Sequence, residues 1–186
     1  MRRIPFLIIS LSLIISLMGC SSNVQGSMKD YKNSDVAAIV GDKEITIGDL
    51  RFLYSDDDVL NNIEGIVKFE LMLQEAKKMN LDVSEDIAVR KEIMLSLPLE
   101  DGEGDIRMQE FIKSQAEKLG MEKEEYYKKY AEIRSEQDSY VNAYIQEMVG
   151  TDGYNEDNSK EFDKKANDFL NELVKKHEKE IKILIK

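Results

Sequence analysis

Tryptophan is absent from the 186 residues, and cysteine and histidine occur once each. A single Cys excludes an internal disulfide framework, and one Cys with one His excludes a Cys/His zinc site. Proline is nearly as scarce, standing only at Pro5 and Pro98, so long stretches carry nothing that breaks a helix. Positive charge is also short: 26 Lys and Arg face 37 Asp and Glu, a formal net charge of −11. Arg2 and Arg3 lie in a leader expected to be removed, which takes the remainder two units further. That balance argues against nucleic acid and against a polybasic membrane patch. What is present, 34% charged and 42% hydrophobic residues, suits one helix-rich globular domain.

The most specific local signal is at the start. Arg2 and Arg3 form a basic n-region, and Ile4 to Leu17 an apolar h-region too short for a transmembrane helix. It ends in Leu17-Met18-Gly19-Cys20, directly before a polar run. This resembles the lipobox of bacterial lipoproteins, in which the cysteine is lipidated and becomes the mature N-terminus. Residues 1–19 are then a lipoprotein signal peptide, and Cys20 is the lipidation site. An ordinary secretory peptide or a short uncleaved anchor would share the apolar run, but the only Cys sits where the lipobox needs it. Two acyl chains suffice for stable attachment, whereas one is marginal. Residues 20–35, polar and without periodicity, read as the lipid-bearing Cys and a flexible tether.

Residues 36–186 read as one helical domain. Val36 to Ile47 has two short apolar runs around Gly41-Asp42-Lys43-Glu44, the pattern of a β-hairpin. Thr46 and Asp49 match a capping box, so a helix begins near Ile47. Asp56-Asp57-Asp58 has no EF-hand spacing and reads as an acidic helix N-terminus rather than a metal site. A second helix, Val59 to Asn80, places Ile63, Ile66, Phe69, Leu73 and Ala76 on one face. Ser84 reads as the N-cap of the next helix, with Ile87, Met94 and Leu97 apolar. Pro98 and the Gly102/Gly104 turn end it. Asp105 to Leu119 forms another helix with Met108, Phe111, Ile112, Gln115 and Leu119 stacked, and Gly120 stops it.

The organising stretch is Glu122 to Val149, without Gly or Pro. Tyr126, Tyr130, Ile133, Tyr140, Tyr144 and Met148 follow the spacing of one buried helix face. Such a helix runs roughly 40 Å, so its neighbours must pack along it. Tyr127 falls off that stripe and is expected at the surface. Gly150 to Ser159 reads as a polar turn rather than a calcium loop. Lys160 to Glu180 forms the last helix, with Phe162, Ala166, Phe169, Leu173 and His177 in register and His177 read as a surface residue near its end. Ile181, Ile183 and Ile185 alternate as a strand, expected to pair with the hairpin. The fold class is therefore mainly α, with a long central helix and a small antiparallel sheet.

Four segments, in order, resemble the SurA N-terminal domain family of bacterial chaperones. They are VAAIVGDKEITIGDL (36–50), FELMLQEAKKMNLDVSEDIAVRKEI (69–93), LGMEKEEYYKKYAEIR (119–134) and FLNELVKKHEKEIKIL (169–184). The chain departs from the family pattern at Asp42, at Asn80 in place of Gly, and at Met121-Glu122. Well-known members carry a parvulin prolyl isomerase domain after the long helix. Here only Gly150 to Ser159 stands in that place, and the parvulin histidines and Gly-rich strand motifs are missing. The resemblance thus implies a chaperone module without the isomerase.

The functional expectation is a membrane-anchored protein of the bacterial cell envelope, facing away from the cytoplasm, that binds unfolded or secreted polypeptides. Tyr126, Tyr127, Tyr130, Tyr140 and Tyr144 are the candidate peptide contacts, although a tyrosine stripe at helical spacing is equally a core with wet hydroxyls. The alternative is a scaffold lipoprotein for one dedicated envelope partner. No nucleophile–base pair, metal spacing or phosphate loop is found, so the expectation is not an enzyme, with no cofactor and no metal. The sequence leaves the oligomeric state open.

Overall fold

The structure, a computed structural model, describes residues 28–97, 106–150 and 159–185. The leader, Cys20, Pro98 and most of the polar turn after Gly150 lie outside the described residues. The described part is mainly helical, with six α-helices and a small three-stranded antiparallel sheet.

The hairpin forms as expected. Strand β1 (Val36–Val40) and β2 (Lys43–Thr46) are joined by Gly41-Asp42, with Val40 opposite Lys43. Gly41 has φ +61°, a left-handed turn conformation that glycine adopts without strain. The C-terminal strand β3 (Ile181–Ile183) pairs antiparallel with the other edge of β1, giving the order β2-β1-β3. A third strand provides the pairing and apolar face that a lone hairpin lacks.

Helix α1 (Ile47–Leu53) starts on the full capping box: Asp49 N–H donates to Thr46 Oγ1, and Thr46 N–H to the Asp49 carboxylate. Helix α2 (Asp56–Lys78) begins one turn earlier than the apolar pattern indicates, because Ser55 caps the Asp58 N–H. The aspartate triplet is its first turn, where carboxylates meet the positive end of the helix dipole. Asn80, with φ +53°, turns the chain out of α2. Helix α3 (Ser84–Ser96) does not use Ser84 as cap. Ser84 is already helical, and its N–H and hydroxyl both donate to Asp82 Oδ1.

Helix α4 (Ile106–Leu119) stops at Gly120, φ +64°. Helix α5 (Lys123–Val149) is the long central element and packs against α2, α3, α4 and α6. Helix α6 (Ser159–Lys176) ends earlier than expected and passes through a 3-10 turn, Glu178–Glu180, into β3. His177 sits at that junction and is buried, contrary to its expected surface position. Its Nδ1 lies 3.1 Å from Glu180 Oε2.

Two apolar clusters share α5. The larger joins the sheet, α2 and α6 to Val141, Tyr144 and Ile145. The smaller joins α4 to Tyr126, Tyr127 and Tyr130, with Phe52 and Met94 packed against it. Residues 28–33, expected to belong to a flexible tether, are instead docked on the domain. Met28–Asp30 forms a 3-10 turn, Met28 is buried in the larger cluster, and Arg51 donates to the carbonyls of Met28 and Tyr31 and to Asn33 Oδ1. One apolar side chain in a polar run is enough to dock it.

Candidate functional site

The long helix is buried on two sides, and this decides where its tyrosines lie. The expected stripe is half right: Tyr126, Tyr130 and Tyr144 are buried, whereas Ile133 and Met148 are exposed. The expectation of a surface Tyr127 is corrected, because it is only 3% exposed and its hydroxyl donates to the Met94 carbonyl of α3. A second neighbour on α5 turns a second set of positions inward: Tyr127, Ala131, Ser135 and Ser139. Tyr126 donates to the Phe52 carbonyl at 2.9 Å and stacks on Tyr130, with centroids 5.8 Å apart. Tyr144 packs on Phe169, and Tyr140 is half-buried beneath the Lys77 ammonium, 5.3 Å from the ring centroid. The five tyrosines therefore share no exposed surface, and in this conformation four of them are out of a ligand's reach.

A cleft of about 420 Å³ opens instead between β2, α1, α2 and α5. Ile45, Leu50 and Ile66 are its buried lining, and Phe52, Leu53, Phe69 and Ile133 remain partly or fully accessible. The capping box at Thr46 sets the start of α1, and hence which way Phe52 and Leu53 leave its last turn. Both pack against the smaller cluster, but neighbours on a helix point about 100° apart, and each stays only partly buried.

Polar groups mark the cleft's ends. At one, Lys43 Nζ lies 2.9 Å from the carboxylate of Glu70, which is 8% exposed. Gln74 donates to Glu70 Oε1 and to the Val40 carbonyl, both at 3.1 Å. These bonds satisfy a carboxylate that burial would otherwise penalise. Beside Phe69, the Arg134 guanidinium stands 5.4 Å from the ring centroid and 3.1 Å from Asp138. Burial raises the Asp138 carboxyl above its ordinary pKa, with Arg134 opposing the shift. Burial likewise raises the Tyr54 phenol at the cleft wall. The result is an apolar trough with an ion pair at one end and a guanidinium behind one of its rings, suited to holding an apolar side chain. A larger cavity of about 860 Å³ near the Gly41-Asp42 turn is rimmed by Lys78, Lys179 and Lys182 and is more polar.

Among the described residues no group of three or more His, Asp or Glu side chains is placed to hold a metal ion, and no helix is long and apolar enough to cross a membrane. Comparison with protein-family models, with curated proteins and with solved structures found no match.

The residues that make the cleft were visible in sequence only as core positions. Phe69 and Ile133 belong to apolar stripes, yet each faces a gap left where α1 is only seven residues long. The adjacent pair Phe52-Leu53 at the end of a short helix is the signal that marks such an opening.

Proposed function

We propose that this chain is a chaperone-like protein that binds extended or unfolded polypeptide, held outside the cytoplasm by a lipid on Cys20, and that it has no prolyl isomerase activity. The single observation that carries the binding reading is the cleft between β2, α1, α2 and α5, whose accessible lining is Phe52, Leu53, Phe69 and Ile133. Concave apolar surface with a few fixed polar groups is the usual form of a site that takes apolar side chains. The resemblance to the SurA N-terminal domain family supports the same class, and the lipobox-like Leu17 to Cys20 supports the anchor.

The test is aggregation suppression by the chain from Ser21 onward, titrated against two unrelated unfolding proteins. Suppression of both near equimolar ratio, weakened by Ile133→Asp in a protein that melts normally, is the expected result. No suppression of either protein would remove the general chaperone reading.

A scaffold for one dedicated envelope partner is the second reading. It is favoured by the exposed Ile93 and Leu95 on α3 and Leu97 just after it, 41–48% accessible, which lie apart from the cleft lining. Affinity capture returning one stoichiometric partner would select it.

A further inference from the structure

We infer that α3 is a hinged cover on the central helix, one that detaches as a unit while the rest of the domain stays folded. The inference is independent of the proposed function. Alone among the described α-helices, α3 has no buried residue; α2 has eight and α5 nine. Its apolar Ile93 and Leu95, and Leu97 just beyond its end, are exposed, while Met94 alone packs against a core cluster. Its release therefore costs mainly the packing of half-buried Met94 on the smaller cluster and the cover over Tyr127 and Ala131, and no fully buried side chain of its own.

What holds α3 to α5 is the Met94 side chain, packed against the smaller cluster, and a polar seam beside it. The Tyr127 hydroxyl donates to the Met94 carbonyl, the Ser135 hydroxyl lies 3.6 Å from the Met94 sulfur, and Lys91 pairs with Glu132 at 3.1 Å. The Glu132 side chain is 62% exposed, so that pair contributes little. Further along, the Asp86–Arg90 pair of α3 lies within electrostatic reach of Asp138. Water can replace each of these partners when the helix leaves. On the N-terminal side the hinge is residues 79–82, where left-handed Asn80 already ends α2 independently of α3, and buried Val83 fixes the point from which α3 departs.

Beneath the cover, α5 presents Tyr127, Ala131 and Ser135, all at most 3% exposed. The small side chains let α3 sit close without interlocking. Release thus uncovers that side of a helix which stays anchored by the adjoining one, through Tyr126, Tyr130 and Tyr144. A 13-residue helix freed from its partner is marginal in water, so detachment and unfolding of α3 are one event.

Native-state hydrogen exchange on the full-length chain in detergent micelles tests this. Amides of residues 88–96 should exchange with one shared opening equilibrium, at least ~100-fold more often than the buried turns of α5. Tyr127→Phe, which keeps the ring and removes the bond to Met94, should speed α3 exchange about fivefold and leave α2 unchanged. Ser135→Ala, which removes the buried hydroxyl beside the Met94 sulfur, provides a second variant if Tyr127→Phe perturbs folding. Exchange of α3 and α5 in a single slow class would overturn the inference. So would a graded loss of protection from one end of α3, or variants that speed α2 as much as α3.

Discussion

Tyr126 of α5 and Phe52 of α1 are joined twice: the tyrosine hydroxyl donates to the Phe52 carbonyl at 2.9 Å, and the two rings meet at 5.1 Å and 53°. Phe52 is also a wall of the cleft. The buried end of the long helix therefore sets the position of a residue that a ligand would touch.

Tyr126→Phe keeps the ring contact and leaves the Phe52 carbonyl without its donor. The expected cost is about 1–2 kcal/mol in urea unfolding, against about 3–5 kcal/mol for Tyr126→Ala, which also opens a cavity. Equal costs for the two variants would show that the hydroxyl, rather than the ring, holds α1 in place.

Gln115 of α4 donates to the carbonyls of both Arg51 and Tyr54 at 2.8 Å and is only 2% exposed. Gln115→Leu suits the apolar face but removes the donor to the Arg51 carbonyl and leaves the Tyr54 carbonyl only the long 3.5 Å bond from Lys118 Nζ. A loss of roughly 2–4 kcal/mol is expected, with thermal melting as the measurement. An unchanged melting temperature would mean that water replaces both bonds.

Lys43→Met leaves Glu70 buried with only Gln74 as partner, and a loss of about 1–3 kcal/mol is expected because Lys43 is itself half exposed. The double variant Lys43→Met with Glu70→Leu should recover most of that loss, since an apolar pair needs no desolvation. Failure to recover would locate the damage in the hairpin rather than in the stranded charge.

Burial raises the phenols of Tyr54, Tyr126, Tyr127, Tyr130 and Tyr144 above the ordinary value. The unfolded chain then loses these protons first, at about pH 10, so the folded state binds more protons above that pH. Stability should be intact below about pH 10 and fall as pH rises beyond it. Denaturant midpoints at pH 8, 9.5 and 10.5, read beside phenolate absorbance, check the sign; a midpoint that rises with pH would contradict it.

Local chemistry made much of the fold legible. The hairpin, the Thr46–Asp49 box and the Gly120 stop depend on residues close in sequence and form where expected, and the C-terminal strand forms over Ile181–Ile183, short of Ile185. The length of α5 follows from the same rule. Neighbours on both sides of α5 were expected, but the second buried face was not legible: Tyr127, Ala131, Ser135 and Ser139 lie off the apolar stripe and are inward on a side rich in small and hydroxylic residues. His177 was in register with the α6 stripe, but its burial depends on the turn into β3. The cleft was hidden for a related reason. It is the space left between four elements, and no single window of sequence contains it.

The placement of β1 between β2 and β3, just after the clamped Met28–Asn33 segment, also settles how the domain meets tension. A pull from upstream of Met28 reaches Arg51 first and then runs along the middle strand, flanked by hydrogen-bonded neighbours on both edges. That load enters the sheet at its best-braced point, and the small sheet serves as the mechanical mount for the helices.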